Sequence, residues 1–89
     1  MGNLFFTGYC KDERQKGIND IQNVVSKYGD IIDFKIFSDI SLSMVIEIKE
    51  FKIDELYDDL RKKLGMNKFE YMNSTSQNER TIYLNITFA

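Results

Sequence analysis

The sequence predicts one small α+β domain in which the elements run β-α-β-β-α-β, with one more strand appended. Three observations carry that expectation. Apolar residues alternate with polar ones in several short runs, they recur at helical spacing in two others, and only Ser38-Asp39 separates two of the alternating runs.

Taken in order, residues 4–9 are aromatic and apolar and stop at "CKDERQ", which gives a first strand and a loop. Ile18, Ile21, Val24, Val25 and Tyr28 then form a helical stripe that ends at Gly29, a residue suited to a left-handed cap. This places a helix over about 16–28. Ile32, Phe34 and Ile36 alternate with Asp33, Lys35 and Phe37, and Ile40, Leu42, Met44, Ile46 and Ile48 alternate with Ser41, Ser43, Val45, Glu47 and Lys49. The two runs make a hairpin.

Ile53, Leu56, Leu60 and Leu64 lie on one face of a second helix, with Asp54 and Glu55 in its first turn, Arg61 to Lys63 in its last and Gly65 beyond. Residues 68–72 give a fourth strand, "NSTSQNER" a polar loop, and 81–88 a fifth, alternating strand. The fifth strand would hairpin onto the fourth or pair with another copy of the chain. The order is that of the split βαβ, ferredoxin-like sandwich: an antiparallel sheet in spatial order 4-1-3-2 with both helices on one face. Its core would hold Leu4, Phe6, Ile32, Phe34, Ile36, Leu42, Met44, Ile46 and Ile48. No linker or repeat divides residues 1–89, so a single domain is expected, with its core at about 4–72.

Composition narrows the functions. The 89 residues are 43% hydrophobic and 13% aromatic, enough for a core. Twelve Lys and Arg against fourteen Asp and Glu give a net charge of −2, which counts against phosphate backbones and anionic membranes as partners. Histidine is absent, and with it the commonest general base and zinc ligand, so neither catalytic nor metal-binding residues are assigned and no cofactor is expected. The single Cys10 reads as a small, semi-buried core residue of a reducing, cytoplasmic compartment. No apolar run approaches the roughly 18 residues of a membrane span, and the first ten residues lack the pattern of a signal peptide. The sequons at Asn73 and Asn85 are chance matches in that setting. Asp54, Glu55, Asp58 and Asp59 make the densest carboxylate cluster, and helix electrostatics accounts for it: two favour the N-terminus, and Asp58–Lys62 and Asp59–Lys63 are i,i+4 pairs.

Two resemblances follow. "LFFTGY" and "SKYGDIIDFKIF" look like the first strand and the helix-one end of an RNA-recognition motif, which would let Phe5 stack on a base. The third strand of that family carries a basic residue, a glycine and two outward aromatics, where this chain has Ser41, Leu42, Ser43 and Val45. Thr7-Gly8, "KDERQKGI", Gly29-"DIIDF" and the third strand "ISLSMVIEI" resemble more fully an ACT domain, the amino-acid-binding regulatory module.

The ACT resemblance implies side-by-side pairing into at least a dimer, with a small amino acid held at the interface. The ligand set it implies is Gly8, Asp12, Lys16, Gly17 and Ile18 from the first loop and helix, with Lys16 or Gly17 at the regulatory glycine, and Asp30, Ile31 and Asp33 from the second strand. A helix N-terminus near Gly17 would offer N–H groups to the ligand carboxylate, and Asp12, Asp30 or Asp33 would meet its ammonium. The expected function is thus a non-enzymatic, ACT-like regulatory or assembly module. Single-stranded RNA binding and a purely structural interaction through the C-terminal strand are the alternatives.

Overall fold

The computed structural model describes residues 3–88. Along the chain lie β1 (Leu4–Cys10), α1 (Arg14–Ser26), β2 (Gly29–Ser38), β3 (Ser41–Lys49), a 3-10 turn (Glu50–Lys52), α2 (Ile53–Arg61), β4 (Gly65–Met66) and β5 (Glu79–Phe88). The result is an α+β domain with one five-stranded mixed sheet and two helices.

The sheet runs β2-β3-β5-β1-β4, so the C-terminal strand sits at its centre. It pairs parallel to β1 from Leu4↔Ile82 to Cys10↔Phe88 and antiparallel to β3 from Ser41↔Thr87 to Lys49↔Glu79. This corrects two expectations. The sheet is not wholly antiparallel, and β5 neither hairpins onto the fourth strand nor leaves an edge for another copy. The reason lies in its buried face: Ile82, Leu84, Ile86 and Phe88 are all buried, and a strand so apolar gains most where neighbours flank it on both sides.

Phe6 and Cys10 of β1, Leu42, Met44, Ile46 and Ile48 of β3 and the four β5 residues share one sheet face. Ile18, Ile21, Val24 and Val25 of α1 and Ile53, Leu56, Tyr57 and Leu60 of α2 complete a single core on it. Ile32 and Ile36, expected in that core, are exposed, while Leu4 and Phe34 are half-buried. Register shifts between Ile31 and Asp33 and between Ile36 and Ser38 interrupt the alternation of β2, and the strand lies at the sheet's border.

Helix α1 starts two residues earlier than its apolar stripe indicates because Glu13 caps it, accepting from the Gln15 and Lys16 amides at 3.0 Å each. Gly29 is not its left-handed cap, since no described glycine has a positive φ. It opens β2 where the strands come close: a Cβ there would lie 2.5 Å from the Glu47 carbonyl oxygen.

Residues 68–72 form no strand; β4 is two residues long and the chain from 67 to 78 is a strap over α2. Asp54 accepts from the Met72 and Asn73 amides at 2.9 Å each, Tyr71 donates to Asp58, and Phe69 packs against Phe6 and Tyr57. The carboxylates therefore hold the strap rather than simply balancing the helix. Lys62 bonds Asp59 at 3.1 Å in an i,i+3 pair, in place of the i,i+4 pairs expected. The strap is anchored at its far end by Glu50, which accepts from Ser74 Oγ and Arg80 at 2.6 Å each, and its carboxyl is held below the usual range by Ser74 first and then Arg80.

Removing residues 79–88 is expected to abolish folding, read as loss of secondary structure by circular dichroism; a folded truncated chain contradicts the central placement. Leu84→Ala should cost about 2–5 kcal/mol in urea unfolding, whereas a surface strand position would cost under about 1.

The end of α1 is tied to α2 by Tyr28, whose hydroxyl donates to Asp59. That bond, with some desolvation, pushes the phenol up to about 12 and, with Lys62, holds Asp59 below its ordinary 3.8. The Tyr28 contribution is complete below its unfolded value of 10 and is lost as pH rises towards 12; that of Asp59 is complete above 3.8 and is lost as pH falls through its lowered value. Urea midpoints measured across pH should fall in both windows, and Tyr28→Phe should flatten the decline between pH 10 and 12.

Candidate functional site

The border strand β2 bonds only to β3, so its outer row of N–H and C=O groups is unpaired among the described residues. Apolar side chains crowd the same border: Ile32 is 54% exposed, Ile36 52%, Phe37 68% and, in the turn to β3, Ile40 57%. Four of the eight large exposed hydrophobics among the described residues lie in this short stretch, and isolated exposed apolar residues would need no explanation where this concentration does. Between the two register shifts β2 runs regularly, with Asp33, Phe34, Lys35 and Ile36 opposite Val45, Met44, Ser43 and Leu42. Asp33 and Lys35 stand on one face, 3.8 Å apart and largely in solvent, a pair of little intrinsic strength.

The residues expected to hold an amino acid divide between opposite ends of the sheet. Registers place Leu4, Ile82, Ile46 and Ile31 level at one end and Cys10, Phe88 and the β2–β3 turn at the other. Asp30 and Ile31 belong to the first end and Asp12, Lys16, Gly17 and Ile18 to the second. Gly8 and Asp33 lie between, with Gly8 level with Ile86 and Asp33 with Val45 and Tyr83.

Several of these residues have structural occupations. Glu13 takes the Gln15 and Lys16 amides, and the hydrogen bonds hold its carboxyl below the usual range. The Gly17 amide donates to the Glu13 carbonyl at 2.8 Å as the first backbone bond of α1, and the Glu13 carboxylate caps the helix from within the chain. Gly17 itself lets α1 approach the sheet, since a Cβ there would lie 2.7 Å from Cys10 Sγ and 3.2 Å from Phe88. Ile18 is core. Lys16 bonds Asp20 at 3.1 Å and stands 3.8 Å from Asp12, and Asp20 raises its ammonium above the ordinary value. Asp30 lies directly across from Glu47 beside a shallow groove of about 240 Å³, which Lys27, Lys49, Lys52 and Glu79 also line.

The open face of the sheet holds a feature that sequence reasoning passed over. Phe5 is stacked on Tyr83, ring centroids 5.3 Å apart and 18° between planes, with β1 and β5 supplying one ring each. Ser43 and Val45 of β3 do share this face, as their alternation indicated. Tyr83 was legible as an outward residue of β5, but only the strand's central position sets it beside Phe5. Farther along β1, Tyr9 borders a second groove of about 280 Å³ that Lys11, Asp12, Arg61, Lys62 and Lys63 line.

Among the described residues no three His, Cys, Asp or Glu side chains are grouped to hold a metal ion, and no helix is long and apolar enough to cross a membrane. Comparison with protein-family models, with curated proteins and with solved structures finds no match for this chain.

Proposed function

We propose that the chain is a non-enzymatic, ACT-like assembly or regulatory module of the cytoplasm whose working form is a homodimer. The observation that carries this reading is the outer border of β2, unpaired among the described residues and lined by Ile32, Ile36, Phe37 and Ile40. Asp30, Asp33, Lys35 and two register shifts interrupt this border, and what they leave uncovered is a concentration of apolar side chains that a partner strand would bury.

The strand-helix order supports a ferredoxin-like frame with β5 inserted between its two central strands. Antiparallel pairing of two β2 strands would set the partner's Asp30 and Ile31 at the same sheet end as Asp12 and Lys16. An interfacial amino acid needs both sets at one end, and here it would also have to reach across β3 and β5, which lie between the two halves.

Size-exclusion chromatography with light scattering is expected to give a dimer, and a thermal-shift screen against the amino acids to raise the melting temperature with one of them. A monomer at every concentration sinks the assembly reading, and a dimer indifferent to all amino acids sinks the ligand.

The Phe5–Tyr83 stack and the basic groove beside Tyr9 favour one second reading, single-stranded RNA laid across the open face. Anisotropy of a labelled oligonucleotide should then show salt-sensitive binding, weakened about fivefold or more by Phe5→Ala in line with the stacking lost. Absence of binding at low salt excludes it.

A further inference from the structure

We infer that two copies of the chain join through β2 in one antiparallel register, centred on Phe34, with Asp33 of each facing Lys35 of the other. The inference rests on the homodimer reading above and adds to it the partner surface and its alignment. Its basis is the symmetry of the strand: around Phe34 the chain reads Ile31, Ile32, Asp33 on one side and Lys35, Ile36, Phe37 on the other. A two-fold axis through Phe34 therefore sets acid opposite base twice, and Ile32 opposite Ile36 twice.

Neighbouring registers are worse for a physical reason. Sliding by one residue to either side removes the two-fold axis, turns the buried faces of the two copies to opposite sides of the sheet and sets both Asp33 and Lys35 against apolar residues. Centring the axis on Asp33 or on Lys35 instead puts two like charges directly opposite each other. The Phe34 register alone pairs every charge between the two register shifts with its opposite. It also covers Ile32, Ile36 and Phe37, exposed in the single chain.

The two ion pairs stand at the solvent-exposed side of the sheet, so they select the alignment more than they supply affinity, which comes from the apolar side chains and the strand hydrogen bonds. Within one chain Asp33 and Lys35 already lie 3.8 Å apart, and a purely internal role for that pair is the alternative to be separated.

Charge reversal separates them. Asp33→Lys gives a chain with Lys at both positions, and Lys35→Asp a chain with Asp at both; both sites are exposed, and circular dichroism checks that each variant folds. Each variant alone should dimerise about tenfold or more weakly than the wild type by light scattering and sedimentation, because both cross-strand pairs become repulsive. Mixed in equal amounts, the two should recover a one-to-one heterodimer of near wild-type strength, since every contact across the axis is again between opposite charges. Rescue on mixing cannot arise from a contact inside one chain. A wild-type dimer untouched by either reversal, or variants weakened alone and unrescued together, overturns the register while leaving the homodimer reading in place. A wild type that is monomeric throughout overturns both.

Discussion

The domain depends on the double pairing of β5. Strands β1 and β3 do not pair with each other; β5 lies between them and hydrogen-bonds to both along most of its length. The first strand of the chain thus finds its sheet neighbour in the last, and the β2–β3 hairpin joins β1 only through it. Because such pairing closes nearly the whole chain before its contacts are gained, folding of this sheet is dominated by long-range rather than local events. The strap of residues 67–78 is placed to help. Asp54, Asp58 and Glu50 fix it at three points along α2 and the 3-10 turn, and the Glu50 amide bonds to the Asn78 carbonyl at 2.9 Å, one residue before β5 begins. Polar groups that looked like a solvated helix face are thereby used to deliver the C-terminal strand to the middle of the sheet.

The same insertion changes what the edges can do. It moves β1 and the loop after it one strand width, about 4.8 Å, farther from the β2 border than in a four-stranded sandwich of order 4-1-3-2. An interfacial ligand site assembled from that loop and a partner's β2 must span the difference. The self-capped start of α1 points the same way: Glu13 already takes the amides that a ligand carboxylate would seek. The proposed assembly through β2 needs neither feature.

Much of this fold was legible in the sequence. The two helices, the hairpin and the buried parity of β3 follow from periodicity alone, because burial on one side of an element imposes its period on the residues. The strand order was harder. Alternation tells which face is buried but not who the neighbours are, so by pattern alone β5 is an appendage. A finer signal was present: Thr81, Tyr83, Asn85 and Thr87 on its open face carry no charge, whereas β2 has Asp30, Asp33 and Lys35. Uncharged alternation suits a strand paired on both sides, and charges suit a border. The shifts at Ile32 and Phe37 could not be read, since a bulge depends on the partner strand and leaves the local pattern almost intact. For the same reason the pattern alone sends Ile32 and Ile36 to the core. Gly17 and Gly29 announced special positions, but close packing against Cys10 and the Glu47 carbonyl, not a ligand or a cap, is what the structure shows at each.

The two borders of the sheet differ in a way that limits any assembly. The β4 border is two residues long, and β1 beyond it is sealed by Asn67, whose amide donates to the Thr7 carbonyl at 3.0 Å while its side chain accepts from the Thr7 amide at 2.9 Å. The β2 border is ten residues long and exposes Ile32, Ile36 and Phe37 beside Asp33 and Lys35. If β2 docked on the β4 border of the next chain, head to tail, every unit would expose a fresh border and growth would be open-ended. The short, sealed β4 side offers too few free backbone groups for that. Pairing of β2 with β2 uses the long border of both chains at once and leaves only β4 borders outside. The sheet would then become a continuous ten-stranded structure of two copies, and the apolar surface that would drive aggregation in a single chain would be consumed by the contact that stops it.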